Sequence, residues 1–232
     1  MKPVNTLKLL TRRFACILAA STFGVWPGTS AAEHISGRVE VLEKGDVKEK
    51  LIRDVVVFVD GLKAPLPEEP RRRRFQITSQ NKAFGPRVEA VPVGAVVSFP
   101  NLDPIMHNVF SLSPSNKFDL GLYKAGAAKD QRLDGPGLVR IYCNIHPQMS
   151  AFVLVLENPY FTEARPDGTF RIENVPPGTY TVKAWFEKAQ AEKVVVVGAQ
   201  GASNATFLLD ARRFKTETHM NKFGKPYGRE KY

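Results

Sequence analysis

Helical periodicity is scarce along this chain of 232 residues; short β-branched and aromatic runs recur instead between glycines, prolines and asparagines. Such runs fall at 35–42, 54–60, 74–79, 87–91, 95–100, 106–112, 137–143, 150–157, 168–173, 179–187, 192–198 and 204–209. Short strands at this spacing, bounded by turn residues, predict an all-β fold of sandwiches or barrels. With 43% hydrophobic and 24% charged residues, the chain has enough apolar material for one large or two small domains.

Residues 1–32 read as a secretory signal. Lys2, Lys8, Arg12 and Arg13 precede an apolar run from Phe14 to Trp26, and small residues follow down to Ser30-Ala31-Ala32. That run is shorter than the ~20 residues a membrane-crossing helix needs, and no later run is longer without a charge or a turn residue. The expectation is a soluble chain that is periplasmic or otherwise exported. Loss of Cys16 with the signal would leave Cys143 as the one cysteine in an oxidising compartment, where thiols usually pair. A lone thiol there needs a chemical reason.

The formal charge of +10 falls to +6 once the signal's four cations are removed. The excess is localised in the run Arg71 to Arg74 and in a basic tail at 212–232. Both read as solvated segments, with docking to an acidic partner protein as the alternative. Nucleic acid is not an expected partner of an exported chain.

Five segments emerge: the signal at 1–32, N-terminal strands at 33–70, a strand-rich segment at 71–157, a second strand group at 158–211, and the tail at 212–232. In the fourth, Asp167-Gly168 and Pro176-Pro177-Gly178 mark turns, and Tyr180, Val182, Ala184 and Phe186 alternate onto one face. About 50 residues are few for an independent sandwich. The strands of 33–70 are therefore expected to pair with 158–211, with 71–157 inserted between the halves. The alternative is an N-terminal extension packed on the central segment.

The chemistry concentrates in Tyr142-Cys143-Asn144-Ile145-His146-Pro147-Gln148-Met149, which offers a thiolate, an imidazole and a thioether at i, i+3 and i+6. Upstream, Asp103-Pro104-Ile105-Met106-His107-Asn108 supplies a second imidazole between two strands. Two imidazoles, one thiolate and a weak thioether form the donor set of a blue-copper electron-transfer site, because copper(I) favours sulfur and copper(II) favours nitrogen. His107, Cys143, His146 and Met149 are thus the expected ligands of one copper ion. Zinc could use the two histidines and the cysteine, but it has no use for the methionine.

These residues resemble the cupredoxin family over roughly 75–157, and the short Cys-x2-His-x2-Met spacing resembles amicyanin most, with plastocyanin a longer-loop relative. Asn81 to Pro86 and Val91 to Phe99 are similar to early strands of that fold. The resemblance implies a Greek-key β-sandwich carrying one type 1 copper ion. It also implies that Asn108 supports the cysteine sulfur through its backbone. His146 would then be the ligand nearest solvent, framed by Pro104, Ile105, Met106 and Pro147 as an apolar docking patch for a redox partner such as a dehydrogenase or a cytochrome. The hairpin region after 158 resembles transthyretin-like, carboxypeptidase-regulatory-like modules. Chains of this combined layout are often labelled methylamine utilisation proteins.

Rival readings are a copper carrier that never cycles its ion, and a binding module whose second sandwich uses Arg165, Trp185 or Phe186, although the alternation assigns Phe186 to the core. His34 and the pair His219-Met220 are expected to be solvated ends. No Ser/His/Asp arrangement, Gly-rich phosphate loop or convincing acid pair is present, so no enzymatic activity is expected.

Overall fold

The computed structural model describes residues 33–45, 47–64, 75–215 and 219–227. The signal at 1–32 with Cys16, and the run Arg71 to Arg74, lie outside the described residues. The first six strands are β1 (His34–Glu43), β2 (Val47–Lys48), β3 (Val56–Asp60), β4 (Phe75–Gln76), β5 (Thr78–Gln80) and β6 (Ala83–Gly85). There follow β7 (Val88–Pro92), β8 (Ala95–Pro100), β9 (His107–Ser111), β10 (Phe118–Tyr123), β11 (Ala128–Leu133) and β12 (Gly137–Tyr142). The last six are β13 (Ser150–Leu156), β14 (Phe161–Glu163), β15 (Thr169–Glu173), β16 (Gly178–Phe186), β17 (Ala189–Val197) and β18 (Ala202–Asp210). A single 3-10 turn at Pro114–Asn116 is the helical element among the described residues, so the chain is all-β, as its sequence predicts. No described helix is long and apolar enough to cross a membrane.

The central strands form a five-stranded sheet, β10-β9-β12-β13-β7, and a three-stranded sheet, β11-β8-β4. Alternation places Val97 and Phe99 of β8 against Val139, Ile141, Val153 and Val155 of β12 and β13, all fully buried or nearly so. Cys143 and Met149 belong to this same core.

The remaining strands make two four-stranded sheets. One is β15-β1-β18, with β2 paired to β1; the other is β14-β3-β16-β17. β1 therefore pairs with β15 and β18, and β3 with β14 and β16, joining residues before the central segment to residues after it. Ile35, Val39 and Val41 of β1 meet Val57, Val59, Val182 and Ala184 in a second core. β1 and β18 run parallel through an irregularity at Gly37, where an added Cβ would lie 1.8 Å from the Ala205 carbonyl oxygen. Gly37→Ala is expected to lower the unfolding free energy by about 1–3 kcal/mol, the usual cost of overpacking. Denaturant unfolding of the full chain measures it.

A third cluster joins the two layers. Phe152, Leu154 and Leu156 lie on the opposite face of β13 and pack, with Val88, against Val56 and Phe58 of β3. Both strands are buried on two faces, which accounts for the unbroken apolar runs Ala-Phe-Val-Leu-Val-Leu and Val-Val-Phe-Val where an exposed strand would alternate. Trp185, a candidate for an exposed binding surface, stands edge-on to Phe152 at a centroid distance of 6.0 Å and packs on this cluster instead. Phe186 is a core residue, in line with the alternation. His34 is not a solvated end: it opens β1 opposite Glu173.

Candidate metal centre

β12 ends at Tyr142 and β13 begins at Ser150, so Cys143 to Met149 form the connection of an antiparallel pair. Two backbone hydrogen bonds fold it: Met149 N donates to His146 O at 2.9 Å, and Cys143 N donates to Met149 O at 3.3 Å. Cys143 and Met149 are fully buried, while His146 is half-buried.

His107 is the first residue of β9, paired across to Tyr123, and its side chain is fully buried. Its Nε2 lies 2.7 Å from Oδ2 of Asp103. A carboxylate only accepts, so Nε2 donates to it and Nδ1 is the ring nitrogen turned toward the other donor atoms. The same carboxylate accepts from Asn81 N at 2.6 Å and Lys82 N at 2.8 Å, the two left-handed residues of the β5–β6 turn. Burial works to raise the Asp103 carboxyl, but the amide of Lys82, the His107 ring and the amide of Asn81 together outweigh it and hold the group below its ordinary range. Asn101, also buried, fixes the loop by accepting from Asp103 N and donating to Ile105 O and Tyr123 O.

The three donor atoms converge. His107 Nδ1 and His146 Nδ1 are 3.2 Å apart, and Cys143 Sγ lies 4.0 Å from the first and 3.8 Å from the second. A point equidistant from all three is roughly 2.1 Å from each, within the ~2.0–2.3 Å at which imidazole nitrogen and thiolate sulfur bind a metal such as zinc. Burial first, and then the adjoining His107 ring, push His146 below its ordinary value, which favours the neutral ring. The donor set fits one transition-metal ion.

Around this triad the structure departs from expectation in two places. The side chain of Asn108 ties the site together: Oδ1 accepts from Asn144 N at 3.2 Å, and Nδ2 donates to Asp119 Oδ1 at 2.7 Å. Of the pair expected to be a solvated end, Met220 is exposed but His219 is not free in solvent: it stacks on Tyr142 with ring centroids 3.8 Å apart and donates from Nε2 to Pro147 O at 2.6 Å. Pro104, Ile105, Met106 and Pro147 are exposed, so the four residues of the suggested docking patch do face solvent. Asp103, Asn101, Asp119, Tyr227 and Lys222 were not legible as site residues. Asp119, Tyr227 and Lys222 act through contacts between different segments of the chain, while Asp103 and Asn101 act within the loop that leads to His107.

A family model described as polysaccharide lyase family 4, domain II, matches residues 154–205, less than half of the chain. No curated protein matches. Among solved structures, the novel purple cupredoxin from Nitrosopumilus maritimus is 23% identical over 35% of this chain and 99% of its own, with a TM-score of 0.32. The Cu-containing nitrite reductase from Thermus scotoductus SA-01 is 24% identical over 42% of this chain, with a TM-score of 0.35; the match spans only 24% of that enzyme. An oxidized amicyanin variant is 19% identical over 35% of this chain and 81% of its own, with a TM-score of 0.34. The likeness is partial in every case.

Proposed function

We propose that this chain is an exported one-electron carrier that holds a single type 1 copper ion with His107, Cys143, His146 and Met149 and has no catalytic turnover of its own. The observation that supports this most is the convergence of two imidazole nitrogens and one thiol sulfur in an apolar core that already contains a methionine. Copper, when bound, supplies a one-electron couple between its two common oxidation states. The residues supply the rest. Asp103 fixes the His107 ring, and the crossed hydrogen bonds of the loop fix Cys143 and Met149, so the ligands are arranged before the ion arrives. Burial of Cys143 keeps solvent and oxidants from the sulfur, which answers the puzzle of a lone exported thiol.

His146 is the half-buried ligand, and exposed Pro104, Ile105 and Met106 belong to the other ligand-bearing loop. A small apolar patch of this kind suits the weak, brief encounters of redox proteins, which bury less than about 1,200 Å². The partner would be a dehydrogenase, a cytochrome or a similar redox protein.

The test is to add copper(II) to the full exported chain, record absorption and EPR spectra, and titrate with a reductant. An intense visible band with narrow copper hyperfine splitting that bleaches reversibly is expected; a colourless or irreversibly oxidised sample would favour a copper carrier. Met149→Gln is expected to keep copper and lower the potential, since a harder oxygen donor favours copper(II). Each tenfold change in the ratio of the two affinities moves a one-electron potential by about 59 mV, and redox titration of the visible band reads it.

A further inference from the structure

Segment 219–227 directs its polar groups at the ligand loop from 72 to 84 residues away in sequence. Tyr227 donates its hydroxyl to Cys143 O at 2.9 Å, and His219 donates to Pro147 O. These two carbonyls are left over when the loop makes its own two hydrogen bonds. An aromatic series accompanies them: Phe110 lies beside Tyr142 at 6.0 Å, Tyr142 is stacked by His219, and Tyr227 stands edge-on to His219 at 5.1 Å.

Lys222 closes a circuit. Its amide donates to Asn144 Oδ1 at 3.1 Å, and its ammonium group donates to Asp119 Oδ2 at 2.8 Å. Asp119 Oδ1 accepts from Asn108, and Asn108 Oδ1 accepts from Asn144 N. Asn108 follows the ligand His107, and Asn144 follows the ligand Cys143. One ring of hydrogen bonds therefore ties the residues next to two ligands to each other and to the tail.

We propose that His219, Lys222 and Tyr227 are positioning residues of the metal centre, and that segment 219–227 is an intramolecular strap holding the Cys143–Met149 loop closed over its ligands and retarding metal exchange. The part that concerns metal rests on the copper reading above; the clamping of the loop does not. The strap touches backbone carbonyls and neighbouring side chains, never a donor atom, so its loss frees the loop without removing a ligand. Nothing in the loop's local sequence would hold those outward carbonyls, whereas a strap anchored at three points restrains both ends of the loop.

The experiment uses the full exported chain and three variants: Tyr227→Phe, which keeps the ring and removes the hydroxyl; His219→Phe, which keeps the stack and removes the donor; and His219→Ala, which removes both. Hydrogen exchange at the Asn144 and Met149 amides is followed in the metal-free protein, with the Val39 amide, bonded to Gly168 O in the second core, as the internal reference for folding. Release of copper(II) to a chelator is followed in the loaded protein. Each lost hydrogen bond is expected to speed loop exchange and copper release by roughly 3- to 10-fold, His219→Ala more than His219→Phe, with the Val39 amide unchanged. Unchanged loop exchange in Tyr227→Phe and His219→Ala would overturn the strap. If the parent chain binds no copper yet the loop amides still exchange faster in the variants, the strap stands as a clamp on the loop and the copper reading falls.

Discussion

Serine in place of Cys143 is expected to remove the visible colour of the copper-loaded chain completely while leaving the metal-free protein folded. The colour of such a site arises from charge transfer out of a thiolate, and oxygen offers no filled orbital of comparable energy. The hydroxyl would also have to ionise in a fully buried position, where the charged form is disfavoured. With two imidazoles and a thioether left, copper affinity should fall by orders of magnitude. The fold should survive because the change in volume is small. Absorption, EPR and thermal unfolding of the parent and the Cys143→Ser chain decide the matter. A copper-loaded variant that stays intensely coloured would show that another sulfur, Met149 or an unrecognised donor, carries the band, and would sink the ligand assignment.

The all-β character was legible because most strands carry β-branched or aromatic side chains at period two. The pairing of residues before 71 with residues after 157 was also legible, from a shortage of strands in each half. What escaped did so for physical reasons. β11, Ala-Lys-Asp-Gln-Arg-Leu, is an edge strand with only Leu133 fully buried, so its pattern resembles a polar loop. β10 is the edge strand of its sheet and carries a register shift around the left-handed Gly121, which breaks its alternation. In β3 and β13 the lack of alternation is itself informative, since unbroken apolar runs mark strands buried on both faces, and these two form the joint between the layers. The site divides along the same line. His107, Cys143, His146 and Met149 are residue types with a distinctive spacing, whereas Asp119 and Lys222 are common polar residues whose role depends on which distant atoms the fold brings to them, and Asp103 needs the β5–β6 turn to hold it against His107.

Among these supporting groups, Asp103 is expected to have the largest effect on both metal and fold. Asp103→Asn replaces an acceptor of three hydrogen bonds, from His107 Nε2, Asn81 N and Lys82 N, by an amide that can accept with one atom only and confronts the remaining donors with its own N–H. A buried donor left without a partner costs about 1–3 kcal/mol, so the metal-free variant should unfold at distinctly lower denaturant concentration. Freed from the carboxylate, His107 can turn or take the other tautomer, placing a proton where the lone pair belongs; loss of such an orienting partner typically weakens metal binding about 10- to 100-fold. The pH dependence separates this role from simple packing. Because the Asp103 carboxyl is held below its ordinary value in the folded chain, the unfolded chain binds the extra proton as the medium is acidified, and the stabilisation it supplies is present in full above the ordinary carboxylate pKa of about 3.9 and lost as pH falls through the lower folded value. The stability gap between parent and Asp103→Asn should therefore be widest near neutrality and narrow below about pH 4. A gap that stays constant down to pH 2 would mean that the carboxylate charge is immaterial, and that Asp103 serves the metal centre by shape alone.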